Sequence, residues 1–131
     1  MNLEQMRRTC MSLPHATEQI QWGADLVFKI GGKMFAVAAT EPSPVKLSFK
    51  VTPEQFTEFT EIPGVIPAPY LARAKWIGLE RWDAMPHDQL AELLRGSYEL
   101  VFASLPAGTR KKIGGVATPA KSRKPARARN R

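Results

Sequence analysis

Two apolar runs broken by a pair of glycines set the strongest limit on how this chain can fold. Leu26-Val27-Phe28-Lys29-Ile30, then Gly31-Gly32, then Lys33-Met34-Phe35-Ala36-Val37 reads as a β-hairpin on a two-residue turn. Both central positions of such a turn need the positive φ that glycine adopts freely. This pairing sets Phe28 opposite Phe35 and Leu26 opposite Val37, so those residues and Ile30 share one face. Val27, Lys29, Met34 and Ala36 fall on the other face. One side is core, and the other meets water or a partner.

The flanking segments supply what such a hairpin packs against. Leu3, Met6, Cys10 and Leu13 recur at helical spacing, which predicts a helix over residues 3–12, ended by Pro14. Val45-Lys46-Leu47-Ser48-Phe49-Lys50-Val51 alternates strictly and reads as a third strand. Thr52-Pro53-Glu54 then opens a short helix with a cap, a first-turn proline and an acid near the helix dipole. Trp76-Ile77-Gly78-Leu79 reads as a last strand. Pro86 leads into a helix whose apolar face runs from Leu90 to Leu105, and Gly96 within it suggests close packing on the sheet. Trp22 and Trp82 read as packing residues. The expected architecture is α+β: two layers, a mainly antiparallel sheet with helices on one face, in the order α-β-β-β-α-β-α.

Charge divides the chain more sharply than hydropathy does. The formal net charge is +7, from 19 basic and 12 acidic residues. Nine of those bases, Arg110, Lys111, Lys112, Lys121, Arg123, Lys124, Arg127, Arg129 and Arg131, follow residue 108, and no acid does. Residues 1–108 therefore carry ten bases against 12 acids, a net −2. A segment rich in Ala, Pro, Lys and Arg and without aromatics cannot offset its ordering entropy by burial. The expectation is a domain over residues 1–108 and a disordered basic tail over residues 109–131.

With that element order in place, several segments resemble the MmcQ/YjbR family of small bacterial proteins. They are Cys10-Met11-Ser12-Leu13-Pro14, Phe28-Lys29-Ile30-Gly31-Gly32-Lys33-Met34-Phe35-Ala36, Val51-Thr52-Pro53-Glu54, Tyr70-Leu71-Ala72-Arg73-Ala74-Lys75-Trp76, Gly96-Ser97-Tyr98-Glu99-Leu100-Val101 and Leu105-Pro106. The resemblance implies a two-layer α/β fold similar to type III secretion chaperones, and DNA binding. It carries over no catalytic residue. Where the family often has Asn-Lys-x-His-Trp, this chain has Ala72-Arg73-Ala74-Lys75-Trp76, which keeps a base and the tryptophan but not the Asn and His.

Catalytic and metal chemistry find little support. His15 and His87 stand alone, the single Cys10 lies on a helix stripe, and no pair has ligand spacing, so neither metal nor cofactor is expected. Gly31-Gly32-Lys33 lacks the glycine spacing, the hydroxyl and the following helix of a phosphate loop. A small enzyme around Tyr70, His15 and Glu18 has no supporting constellation. No run is long enough to cross a membrane and no signal peptide is evident, and one cysteine points to a reducing compartment, so the expected location is cytoplasmic.

Two candidates for polyanion binding remain. Arg73, Lys75 and Trp76 would combine two cations with a flat ring for stacking on bases, if Trp76 faces away from the core. The nine tail cations would bind DNA or RNA through counterion release, without reading sequence. The expected function is non-enzymatic DNA binding with affinity supplied by the tail. The alternative is a protein-binding adaptor that uses the sheet face of Val27, Met34 and Ala36.

Overall fold

In the computed structural model, which describes residues 1–117, helix α1 (Leu3–Met11) leads into strands β1 (Thr17–Gln21), β2 (Asp25–Ile30), β3 (Lys33–Ala39) and β4 (Leu47–Lys50). Helix α2 (Pro53–Phe59), strand β5 (Val65–Pro67), a 3-10 turn at Ala72–Ala74 and strand β6 (Trp76–Leu79) follow, then helices α3 (His87–Ala103) and α4 (Ala107–Ala117). The strands form one antiparallel sheet in the order β1-β2-β3-β4-β6-β5. The core lies on one side of it. There Leu26, Phe28, Ala36, Leu47, Phe49, Ile77 and Leu79 meet Met6 and Cys10 from α1, Phe59 from α2, and Leu90, Leu94 and Val101 from α3. The fold is α+β, as the apolar periodicity implies.

Local chemistry explains the helix starts. Asn2 and Thr52 each close a capping box, the side chain accepting from Gln5 N–H or Gln55 N–H while the glutamine side chain accepts from the cap's own N–H. Pro53 occupies the first turn of α2, where its missing N–H costs nothing.

Four features depart from the reading of the sequence. Strands β1 and β5 were not visible in it, because both are edge strands: Thr-Glu-Gln-Ile-Gln is almost wholly polar, and β5 is three residues ending in Pro67. The hairpin follows the expected pairing only beside its turn, where Lys29 faces Met34 and Ile30 faces Lys33. A bulge then shifts the register, so Phe28 faces Ala36 and Val27 faces Val37. Ala36 thereby joins the core face and Val37 leaves it, while Phe28 and Phe35 both stay buried with ring centroids 6.4 Å apart.

The third departure is Gly96. A Cβ added there would meet nothing within 4 Å, so close packing on the sheet does not explain this glycine. The fourth is α4, which carries the chain in helical form beyond residue 108 and puts Arg110, Lys111 and Lys112 on a helix. The reason is a pair of anchors. Ile113 packs against the core, and the Arg110 guanidinium donates to the Leu105 carbonyl at the end of α3 (3.0 Å). Residues 118–131 lie outside the described residues.

One hydroxyl joins the layers at the bulge. Ser97, fully buried on α3, accepts from the Lys50 N–H (2.9 Å) and donates to the Phe35 carbonyl (2.6 Å), bridging β4 to β3. Ser97→Ala leaves both backbone groups unpaired and is expected to destabilise by about 2–4 kcal/mol. Gly96→Ala, one residue away, should raise stability by about 0.5–1 kcal/mol, the helix-propensity difference. Denaturant unfolding of both variants checks the pair, and a Ser97→Ala loss under ~0.5 kcal/mol would show that the bridge is dispensable.

Candidate nucleic-acid interface

The expected Arg73–Lys75–Trp76 patch is divided by the sheet. Register pairing of Lys50 with Trp76 places the indole on the face away from the helices, as anticipated, but Trp76 is only 4% exposed. Its backbone closes the preceding loop, with Trp76 N–H donating to Leu71 O and Ala68 N–H donating to Trp76 O. A base could stack on this ring only after its cover moved. Lys75 sits in the left-handed region (φ 66°), which costs a non-glycine residue roughly 1 kcal/mol. Its Nζ lies 5.1 Å from the centre of the Phe56 ring on α2, a cation–π contact directed toward the helix layer. Arg73 is exposed, and the Lys50 ammonium donates to the Ala74 carbonyl beside it. Lys75 and Trp76 therefore point to opposite sides of the sheet, and Lys50, in register with Trp76, lies on the side of the indole.

The basic C-terminal candidates divide at residue 117. Arg110, Lys111 and Lys112 are exposed on α4. Helix α4 is seated on the β2–β3 turn: a Cβ on Gly31 would lie 2.6 Å from Leu105 Cδ1 and 3.3 Å from Ile113 Cδ1. Gly31 also has φ 59°, so the turn conformation and the close approach both call for glycine there. Lys121, Arg123, Lys124, Arg127, Arg129 and Arg131 lie outside the described residues.

The face of the sheet without helices carries a second feature. A groove of about 690 Å³ is lined by Met34, Val37, Val45, Ser48 and Leu71, with Trp22 and Tyr70 among its walls. Trp22 is 67% exposed and Tyr70 fully exposed, and both hold positive φ, an uncommon conformation for an aromatic residue. Trp22 is thus no packing residue, whereas Trp82 does pack against the core. The sequence hinted at this only through the Trp22-Gly23 and Pro69-Tyr70 dipeptides, which mark turns but not what those turns display.

Glu18 and Tyr70 stand on opposite sides of the sheet, and Cys10 is buried. Glu18 is held by Arg7 of α1 in a two-pronged pair (2.8 and 2.6 Å), on the helix side of the sheet from the groove that Tyr70 lines. Burial pushes the Cys10 thiol up to about 12, with the Glu18 carboxylate adding to the shift. Among the described residues no three His, Cys, Asp or Glu side chains gather as metal ligands, and no helix is long and apolar enough to cross a membrane. At about pH 8 Cys10 is expected to resist a disulfide-exchange reagent in the native protein and to titrate fully in denaturant. Stoichiometric modification of the folded chain within minutes would contradict this buried placement.

Comparisons with known proteins agree with the architecture. The family model YjbR matches residues 11–100. The crystal structure of the Deinococcus radiodurans protein DR2400, of the domain family DUF419, superposes with a TM-score of 0.77 at 31% identity, covering 86% of this chain and 88% of that one. A Pseudomonas syringae protein of known structure shares the fold at a TM-score of 0.62 and 19% identity, covering 76% of this chain and 98% of that one. No curated protein matches the chain.

Proposed function

The chain belongs to the YjbR family, and from that premise we propose that it is a cytoplasmic, non-enzymatic protein that binds duplex DNA, with non-specific affinity supplied by its basic C-terminal segment. The observation that carries this reading is the segregation of charge: nine cations and no acid after residue 108, on a body of net −2. Cations released from acidic neighbours neutralise phosphates and free condensed counterions, which favours binding whatever the base sequence. Three of the nine, Arg110, Lys111 and Lys112, stand on helix α4, which is docked on the domain.

A second reading has its own observation. The groove flanked by exposed Trp22 and Tyr70 suits a protein partner, since aromatic residues supply large contact area at low entropic cost. The two readings separate cleanly. A Trp22→Ala/Tyr70→Ala chain should keep its DNA affinity and lose an adaptor's partner.

Titration with a short duplex across salt tests the main reading. For the full chain the slope of log K against log salt is expected at roughly −4 to −7. A chain ending at Ala117 keeps α4 but loses six cations, and its slope should shrink to roughly −1 to −3. Equal affinity of the two chains at every salt concentration would remove the C-terminal segment from the account. Tighter binding to single-stranded RNA than to the duplex would redirect it to another nucleic acid.

A further inference from the structure

The strand registers sort the body's charges by end. Ile30 pairs with Lys33, Ala36 with Phe49, and Lys50 with Trp76, so the end of β2, the start of β3, the end of β4 and the start of β6 share one end of the sheet. That end carries Lys29, Lys33 and Lys50, and Arg73 and Lys75 immediately before β6. At the opposite end Asp25 pairs with Ala39 and Leu47 with Leu79, and there stand Asp25, Glu41, Glu80 and Asp83. The cations of the opposite end are Lys46, whose ammonium donates to the Ser43 carbonyl, and Arg81, paired with Asp83 at 3.1 Å. The body's net charge of −2 is therefore an average over a basic end and an acidic end.

Helix α4 adds to the basic end. Gly31, between Lys29 and Lys33, touches Leu105 and Ile113, which brings Arg110, Lys111 and Lys112 beside the hairpin tip. Among the described residues none of these eight cations forms a salt bridge. Acids also stand near this end: Glu18, whose carboxylate is taken by Arg7, Glu54, which faces the N-terminal dipole of α2, and exposed Glu99, which follows Ser97 on α3. Strands lie about 4.8 Å apart, so the row from β2 to β6 spans roughly 14 Å. Duplex DNA rises ~3.4 Å per base pair, so a row of this length laid along the axis spans about four base pairs.

We propose that this end of the sheet, with α4, is the docking face for the phosphate backbone of duplex DNA. The inference rests on the nucleic-acid reading above, and it adds a fixed site on the folded body to the affinity of the C-terminal segment. Strand-end lysines and arginines set the position of the body on the duplex, and the acidic end faces away from it.

The test uses the full chain and two charge-matched double variants. Lys29→Ala/Lys33→Ala removes two cations from the basic end, and Lys46→Ala/Arg81→Ala removes two from the acidic end. The first is expected to weaken binding to a short duplex roughly 10- to 50-fold near 0.1 M salt and to reduce the salt slope by about 2. The second should stay within about twofold of the unmodified chain at the same salt. Lys33→Ala/Arg73→Ala, both exposed, gives an independent pair from the basic end with the same expected loss. Equal losses from both ends would show that net charge alone acts and would overturn the docking face. So would full affinity after the basic-end substitutions, which would leave the C-terminal segment as the whole site. An unmodified chain that fails to bind duplex DNA at low salt would overturn the nucleic-acid reading and this inference together.

Discussion

Where β3 bulges at Phe35, its hydrogen bonding to β4 breaks off, and a Phe35 carbonyl and a Lys50 N–H are left facing the helix layer. Buried backbone groups of this kind must find partners, and both find the hydroxyl of Ser97. Much of the arrangement follows from that contact. It fixes how far α3 slides along the sheet, which sets Tyr98 edge-on against Phe35 (5.5 Å) with its hydroxyl donating to the Pro14 carbonyl. Through Pro14 the end of α1 is tied to α3, and through Leu105 the end of α3 reaches the hairpin turn.

The parts of the fold legible in the sequence are those whose pattern is local. The alternation before Lys50, the capped start at Thr52-Pro53 and the apolar stripe of α1 each announce their element within a few residues. The Gly31-Gly32 turn likewise fixed the pairing nearest to it. The bulge was not legible, because an alternating run reads the same with one residue looped out, and only packing against α3 selects Phe35 as the extra one. Edge strands β1 and β5 have one neighbour each and little to bury, so selection for apolar alternation is weak there.

The same limit applies to the site. Counting charge along the chain located the cations after residue 108 but treated the body as uniformly acidic. Separation of its charges into two ends depends on strand order and register, which bring Lys33 and Lys50 to the same end although 17 positions separate them. The assignment of Trp76 to the face away from the helices was right in direction but silent on burial, because the loop that closes over it precedes it in an irregular, proline-rich run.

The three tryptophans occupy three different surroundings, and this gives the protein a built-in optical reporter. Trp76 is sealed at the basic end, Trp82 rests on the core, and Trp22 stands in water at the groove. An aqueous quencher reaches Trp22 first, so the quenchable fraction of the emission reports on that groove. A molecule that enters it announces itself in the unlabelled protein, through an indole whose light owes little to the stability of the core.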